Sequence, residues 1–146
     1  MAIIVQKYGG TSVGDAERIR AVAKRIIATK ERGNQVVVVV SAMGDSTDDL
    51  IELARSLTNK PDPRELDVLM STGEIVSSTL LAMTLKQMGH DAISLTGAQA
   101  GIRTNGAHSQ ALITGIEPGR IHRELHQGRV VIVAGFQGIT ESMEVT

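Results

Sequence analysis

The sequence predicts an α/β fold with a mostly parallel central sheet, and three observations lead to that prediction. Short apolar segments alternate with longer stretches of helical spacing along the 146 residues. Five consecutive valines, Val36 to Val40, are typical of a central strand that is covered on both faces. Each main strand is followed by a loop of small residues, which is common where ligands bind at the end of a parallel sheet.

The first half of the chain alternates strand and helix. A short buried strand is predicted over 2–5, and a helix over 15–32 follows, because apolar residues recur at helical spacing until Gly33. After the valine strand, a second helix is predicted over 47–58. The "NKPDP" stretch ends this helix, since proline and turn residues cluster there.

The second half of the chain continues the alternation. A long helix is predicted over 65–88 and ends at Gly89, and a third strand follows over 92–95. A helix over 117–127 starts with a proline near its first turn, and a buried strand is predicted over 130–133. No repeat or linker interrupts the chain, so we expect no domain boundary within it.

A hairpin is predicted between the third strand and the last helix, in the segment "GIRTNGAHSQALI". Asn105 and Gly106 form a strong signal for a two-residue turn. His108 follows this turn, and we interpret it as a surface residue without a metal or catalytic role. The four histidines do not cluster with carboxylates at ligand spacing, so no metal site is predicted.

The composition argues against several classes of function. The net charge is −1 and aromatic residues are 1%, which gives no indication of a nucleic-acid partner. We see no leader peptide and no apolar run that approaches membrane-spanning length. The chain has no cysteine, so disulfides and thiolate metal sites are excluded. Together these features favour a cytoplasmic protein without a membrane partner.

The loops after the four main strands resemble one another in composition. They read "KYGGTS", "SAMGDST", "TGAQAG" and "AGFQG". In open α/β sheets, ligands bind outside the carboxyl ends of the strands, and small residues allow close approach to the backbone. We therefore expect a ligand cleft at this edge of the sheet.

The first of these loops combines a lysine with a pair of glycines. Lys7 precedes Gly9 and Gly10, so the segment is neither a Walker A loop nor a dinucleotide fingerprint. An ammonium group beside two free backbone N–H groups suits a phosphoryl group with several negative charges. Lys7 as a solvated strand end and the glycines as a plain turn are the alternative interpretation.

Five segments occur in an order that closely resembles one family of enzymes. They are "KYGGTSVGD", "VVVVVSAMGDSTDDLIELA", "LMSTGEIVSSTLLA", "TGAQAGIRT" and "VVIVAGFQGIT". The chain thereby resembles the N-terminal part of the catalytic domain of the aspartokinases, in the amino-acid kinase family. This resemblance implies a three-layer αβα sandwich that transfers the γ-phosphoryl group of ATP, with Mg2+, to the side-chain carboxylate of L-aspartate. The product, 4-phospho-L-aspartate, begins the route to lysine, methionine and threonine.

The resemblance also implies roles for individual residues. Lys7 is implied to be catalytic, because the matching lysine bridges the phosphoryl group during transfer. The implied phosphate and ATP contacts are Lys7, Gly9, Gly10 and Ser41, and the implied aspartate contacts are Thr47, Glu74 and Arg103.

The local sequence bears on two of the implied aspartate contacts. Glu74 is the only charged residue between Asp67 and Lys86, so it needs a partner if it is buried, and the α-ammonium of aspartate would supply one. A rim position in contact with water is the alternative. Ser46 or Thr47 is also expected to cap the second helix, which is compatible with substrate binding at that helix end.

The resemblance further implies that the chain is a truncated piece. Residues 1–146 would be the N-terminal, aspartate-binding part, and the family's nucleotide-binding half and ACT regulatory domains would be absent. The fragment alone is therefore expected to be inactive, and the intact enzyme is expected to be an oligomer. Two alternatives stay open: another amino-acid kinase, such as acetylglutamate or glutamate 5-kinase, and a non-catalytic fragment that binds a small anion.

Overall fold

A computed structural model describes all residues, 1–146, as alternating strands and helices. A short 3-10 turn at Gly10–Val13 follows the first strand. The remaining elements in chain order are β1 (Ile3–Tyr8), α1 (Ala16–Glu31), β2 (Gln35–Val40), α2 (Ser46–Leu57), α3 (Pro63–Gln87), β3 (Ala92–Leu95), β4 (Ile102–Thr104), β5 (Ile113–Ile116), α4 (Gly119–His126) and β6 (Val130–Ala134).

The central sheet is fully parallel. Its four strands lie in the order β1-β2-β6-β3, so the valine strand β2 and the last strand β6 are central. All residues of β6 are buried, as are four of the five valines of β2. The prediction of a central strand covered on both faces is therefore confirmed. β1 and β3 are the edge strands of this sheet.

Helices cover both faces of the sheet. On one face α1 and α3 pack against the sheet in a core that includes Ile26, Leu81 and Ile132. On the other face, a smaller core joins Leu125 of α4 to Val131 of β6. α2 lies against α3 and has no buried residue of its own. The molecule is thus a three-layer αβα sandwich, as expected.

The long helix α3 forms the core of one layer. Asp62 caps it by accepting a hydrogen bond of 3.0 Å from the Glu65 amide, with Pro63 in its first turn. By length and composition alone α3 could cross a membrane, so the expectation that no segment approaches that length is wrong. Its packing is that of a core helix, because Leu81 and Leu85 are fully buried against the sheet and α1.

The hairpin exists, but the predicted turn is wrong. β4 and β5 pair antiparallel, and residues 105–112 connect them instead of a two-residue turn. The Asn105 side chain accepts hydrogen bonds from the amides of Ala107 and Leu112, at 3.2 and 3.1 Å. Asn105 therefore closes a wider loop, because its carboxamide takes the place of a backbone acceptor. We call residues 105–112 the hairpin loop.

The predicted cap of α2 is also wrong. The N-cap position is Asp45, whose side chain makes no capping hydrogen bond. The Ser46 hydroxyl bonds backwards to the Met43 carbonyl at 2.5 Å, and Thr47 already lies within the helix. Both residues therefore come one or two positions too late to cap the helix. The acidic residues expected in the first turn, Asp48 and Asp49, are in place.

Candidate active site at the carboxyl ends of the strands

The four loops that follow the main strands meet at one edge of the sheet. The Gly44 amide donates to the Gly10 carbonyl at 2.9 Å, which joins the first loop to the second. The Gly135 amide donates to the Val40 carbonyl at 2.9 Å, which joins the last loop to the end of β2. The Gly97 amide donates to Oε1 of Gln137 at 3.2 Å, which joins the third loop to the last.

Glycines at this edge permit close contact between loop backbones. A Cβ atom on Gly10 would lie 2.8 Å from the Ala42 carbonyl oxygen. A Cβ atom on Gly97 would lie 2.3 Å from the Gln137 carbonyl oxygen. Real side chains do not tolerate such distances, so the small residues seen in the sequence are required for the loops to meet.

A cavity of about 450 Å³ opens beside these loops. It lies between α3, the β4–β5 hairpin and the loop after β6, and its lining mixes apolar and polar groups. The polar lining includes two carboxylates of α3, Asp67 and Glu74, together with Thr104, Ser109 and Gln137. A cavity of this volume is large enough for an amino acid.

Glu74 is a buried carboxylate in this cavity. The residue is only 6% exposed, so the alternative of a solvated rim position is excluded. Burial raises the pKa of its carboxyl group, while hydrogen bonds from its own backbone amide and from the Gln137 side chain oppose that rise. None of the chain's ion pairs includes Glu74. The cavity therefore holds a desolvated carboxylate without a cation.

Small residues fix the turn of α3 that carries Glu74. The Ser77 hydroxyl donates to the Ser41 carbonyl at 2.6 Å, at the end of β2. A Cβ atom on Gly73 would lie 2.7 Å from the Ala42 side chain, so only glycine allows the helix to approach this closely. Glu74 is thus placed at the strand ends because its neighbours on α3 are slim.

Gln137 connects three parts of the site and was not among the predicted site residues. Its Nε2 donates to the Ser71 carbonyl of α3 at 3.0 Å, and its Oε1 accepts from the Gly97 amide. The residue is 9% exposed, and its side chain opposes the rise in the pKa of Glu74. A polar residue between two glycines after a buried strand, in "AGFQG", is the signal that could have found it.

Phe136, the residue before Gln137, is a second feature that the sequence analysis missed. It is 90% exposed, lines the cavity and has a φ of 62°. The left-handed region is unfavourable for a bulky side chain, so this backbone position is strained. The only phenylalanine of the chain therefore stands at the mouth of the cavity rather than in the core.

The residues predicted to contact phosphates lie on two neighbouring strand ends. Lys7 is in β1 and is paired in register with Val39 of β2. Its side chain is exposed and takes part in none of the chain's ion pairs. Gly9 precedes the 3-10 turn, and the Ser41 amide donates to the Tyr8 carbonyl at 3.1 Å. The structure brings Lys7, Gly9, Gly10 and Ser41 to one edge, and their roles stay predictions.

Two of the predicted aspartate contacts do not line the cavity. Thr47 is half-buried in the first turn of α2. Arg103 pairs with Glu117 at 3.5 Å, whereas its neighbours Ile102 and Thr104 line the cavity. Since side chains alternate across a strand, Arg103 lies on the opposite face of the hairpin from that lining.

The side chains of this chain do not assemble a metal site. No group of three or more His, Cys, Asp or Glu residues lies close enough together to hold a metal ion. The residues present therefore do not fit Mg2+ as a resident ion, and we derive no step through it.

The parallel sheet, the glycine-rich strand ends and the buried carboxylate define an α/β protein with a small-molecule site at the carboxyl ends of its strands. The model of the "Amino acid kinase family" matches residues 2–146, and the chain belongs to this family. It is 58% identical to the aspartokinase of Geobacillus stearothermophilus over 146 residues, which is 100% of this chain and 36% of that protein. The chain thus spans about a third of the length of the curated relatives that it matches.

Solved structures of aspartate kinases have the same fold. The aspartate kinase from Synechocystis matches with a TM-score of 0.82 and 46% identity, over 100% of this chain and 23% of that one. Aspartokinase III of E. coli, in complex with aspartate and ADP, matches with a TM-score of 0.85 over 99% of this chain and 43% of that one. At 21% identity, this match supports the assignment of the fold only.

Proposed function

We propose that this chain is the aspartate-binding part of an aspartate kinase catalytic domain. The intact enzyme transfers the γ-phosphoryl group of ATP to the side-chain carboxylate of L-aspartate and forms 4-phospho-L-aspartate. It acts in the cytoplasm, at the start of lysine, methionine and threonine biosynthesis. The observation that carries this proposal is Glu74, a buried carboxylate without a cation in a cavity at the strand ends.

Glu74 selects a ligand with a positive charge. A desolvated carboxylate with a raised pKa is unfavourable until a cation enters the cavity, and the α-ammonium of an amino acid supplies that cation. An N-acetylated substrate has no ammonium group. The unpaired state of Glu74 therefore favours a free amino acid such as aspartate over acetylglutamate.

The neighbouring strand ends are suited to the transferred phosphoryl group. The Lys7 ammonium is exposed and unpaired, and it lies in β1 two residues before the glycine pair. In our proposal, Lys7 stabilises the charge that develops on the phosphoryl oxygens, while the amides of Gly9 and Gly10 orient them. The Ser41 hydroxyl lies at the end of the next strand and contacts substrate or phosphate.

Thr47 and Arg103 are proposed as further aspartate contacts of the intact enzyme. The alternative for each residue is a purely structural role. Arg103 forms an ion pair with Glu117, and Thr47 lies in the first turn of α2. ATP with Mg2+ is the proposed phosphoryl donor. The 58% identity to the aspartokinase of Geobacillus stearothermophilus supports aspartate as the phosphoryl acceptor.

The test is an ADP-release assay on the full-length protein that carries this chain. We expect ADP release that depends on L-aspartate, and a loss of aspartate affinity in Glu74→Gln equivalent to roughly 2–5 kcal/mol. Glu52→Gln is the matched control, because Glu52 is an exposed residue of α2 outside the cavity. Turnover of N-acetyl-L-glutamate or L-glutamate in place of L-aspartate would contradict the proposal.

A further inference from the structure

The side chain of Asp67 clamps the hairpin loop to α3. Its Oδ2 lies 2.8 Å from Nδ1 of His108, and its two oxygens accept from the Ser109 amide at 3.1 and 3.2 Å. The clamp is largely shielded, since the side chains of Asp67 and His108 are 10% and 19% exposed. His108 lies in a turn as predicted, but it is half-buried and anchors the loop, so the prediction of a surface position is wrong.

The clamp is the hairpin loop's hydrogen-bonded link to the rest of the protein. The other hydrogen bonds of residues 106–111 stay within the loop, between the Ala107 and His108 amides and acceptors on Asn105 and Gly106, and between Gln110 and Ala107. Ser109 has a φ of 68°, which is rare for a residue with a side chain. Asp67 thus holds the loop at its most constrained residue.

The clamped loop forms one wall of the cavity that contains Glu74. Ser109, Gln110 and Ala111 line that cavity, and so does Asp67 itself. Asp67 and Glu74 are seven positions apart on α3 and therefore share one face of the helix. A side chain that fixes the loop against this face also fixes the distance between the loop wall and Glu74.

The two carboxylates of the cavity differ in whether a polar partner already neutralises or solvates their charge. Asp67 has its charge engaged by the Ser109 amide and the His108 ring, whereas Glu74 has no ion-pair partner. An amino acid that enters the cavity therefore meets one free carboxylate for its ammonium group. The engagement of Asp67 keeps that residue from competing for the same cation.

We propose that Asp67 is a positioning residue: through His108 and Ser109 it fixes the hairpin loop as the cavity wall that sets the affinity for the amino-acid substrate. This inference rests on the proposed aspartate kinase function. A released loop leaves Glu74 and Lys7 in place, because neither is bonded to it. The effect therefore falls on the binding of aspartate rather than on the transfer step.

The experiment uses the full-length protein with Asp67→Ala, His108→Ala and His108→Asn. We expect the first two to raise the KM for L-aspartate about tenfold, as for the loss of a charged hydrogen bond, with kcat near the wild-type value. His108→Asn is expected to restore the wild-type KM, because an asparagine amide nitrogen can take the position of Nδ1. Lys86→Gln is the matched control, since it breaks an exposed ion pair of the same helix, with Asp91, outside the cavity lining.

Hydrogen exchange at the Ser109 amide provides a readout that does not depend on activity. Exchange is expected to accelerate in Asp67→Ala and to remain at the wild-type rate in Lys86→Gln. Faster exchange with an unchanged KM would overturn the inference, and so would unchanged exchange. A wild-type protein without aspartate kinase activity would instead overturn the proposed function, while the exchange measurement would still test the clamp.

Discussion

The carboxyl group of Glu74 is buried in a place where its charge is unfavourable. Burial raises its pKa above the ordinary value of 4.5, so the folded protein binds a proton at Glu74 more readily than the unfolded chain does. Stability linked to this residue is therefore highest at acidic pH and decreases as the pH rises through the window between the two pKa values. Above that window the full cost of the buried charge is present.

We predict that Glu74→Gln stabilises the free protein at neutral pH. The amide fills the same space without a charge, so its free energy of unfolding should exceed that of the wild type at neutral pH. The difference should shrink as the pH falls through the window between the raised pKa and the ordinary value of 4.5, and it should level off below that window. Urea unfolding of both proteins across this pH range measures the difference, and a constant difference at every pH would contradict the prediction.

At Lys7 the prediction concerns the rate of transfer. Lys7→Ala in the full-length protein should lower kcat far more than it raises the KM for aspartate, because its charge acts mainly in the transition state. The expected loss is about 2.7–4 kcal/mol, or roughly a hundredfold to a thousandfold in kcat. Steady-state kinetics with saturating ATP provide the measurement. Lys24→Ala, at an exposed position of α1, is the control, and near-normal turnover of Lys7→Ala would remove Lys7 from the mechanism.

At the scale of elements, the loops and α3 are held together by contacts that leave no room for a side chain. Gly97 meets the Gln137 backbone, Gly10 meets the second loop, and Gly73 meets Ala42. Gln137 and Ser77 then supply hydrogen bonds across the same contacts. The site is therefore shaped by close backbone approach, which explains why small residues occupy all four strand ends.

This close packing leads to a stability prediction at Gly97. A Cβ atom there would lie 2.3 Å from a backbone oxygen that cannot rotate away, so Gly97→Ala should destabilise the protein by about 1–3 kcal/mol. Gly106→Ala is the control, because a Cβ atom on Gly106 would meet nothing within 4 Å and the φ of this residue is not in the left-handed region. Denaturant unfolding of both variants provides the measurement. Equal stabilities of the two variants would show that the loops can separate at no cost.

At the scale of the whole molecule, the sheet has two unpaired edges, and the edge at β1 carries exposed apolar side chains. β1 is an edge strand, and its side chains Ile3 and Val5 are 44% and 64% exposed. Exposed apolar edge strands invite pairing with further strands or with other chains. The curated relatives are about three times as long as this chain, and β1 is one place where further sequence could pair.

We predict that the 146 residues by themselves do not transfer a phosphoryl group. They bring together Lys7, the glycine pair and the Glu74 cavity, but no group of side chains among them fits a metal ion. Transfer needs the nucleotide held in line with metal ions on its phosphates. Calorimetry with MgATP and an ADP-release assay on the purified chain provide the test. Stoichiometric ATP binding with aspartate-dependent ADP release would show that the chain contains the nucleotide site.

The sequence by itself determined the class of fold and singled out the buried carboxylate of the cavity, Glu74. The alternation of strands and helices, the buried valine strand and the slim stretch of α3 follow from local patterns of apolar and small residues. Lys7 beside two glycines and Glu74 as a lone charge could be identified for the same reason. Each of these features depends on residues that are neighbours in the chain or recur at a fixed period.

Only the tertiary structure decided how distant side chains combine. Gln137 bonds Ser71 across 66 positions, and His108 bonds Asp67 across 41 positions. The prediction of a two-residue turn at Asn105 was wrong because the shape of the loop depends on its attachment to α3 as well as on its own residues. Local sequence patterns do not predict such contacts, since they form only when the packing of α3 brings the strand ends and the hairpin to the same place.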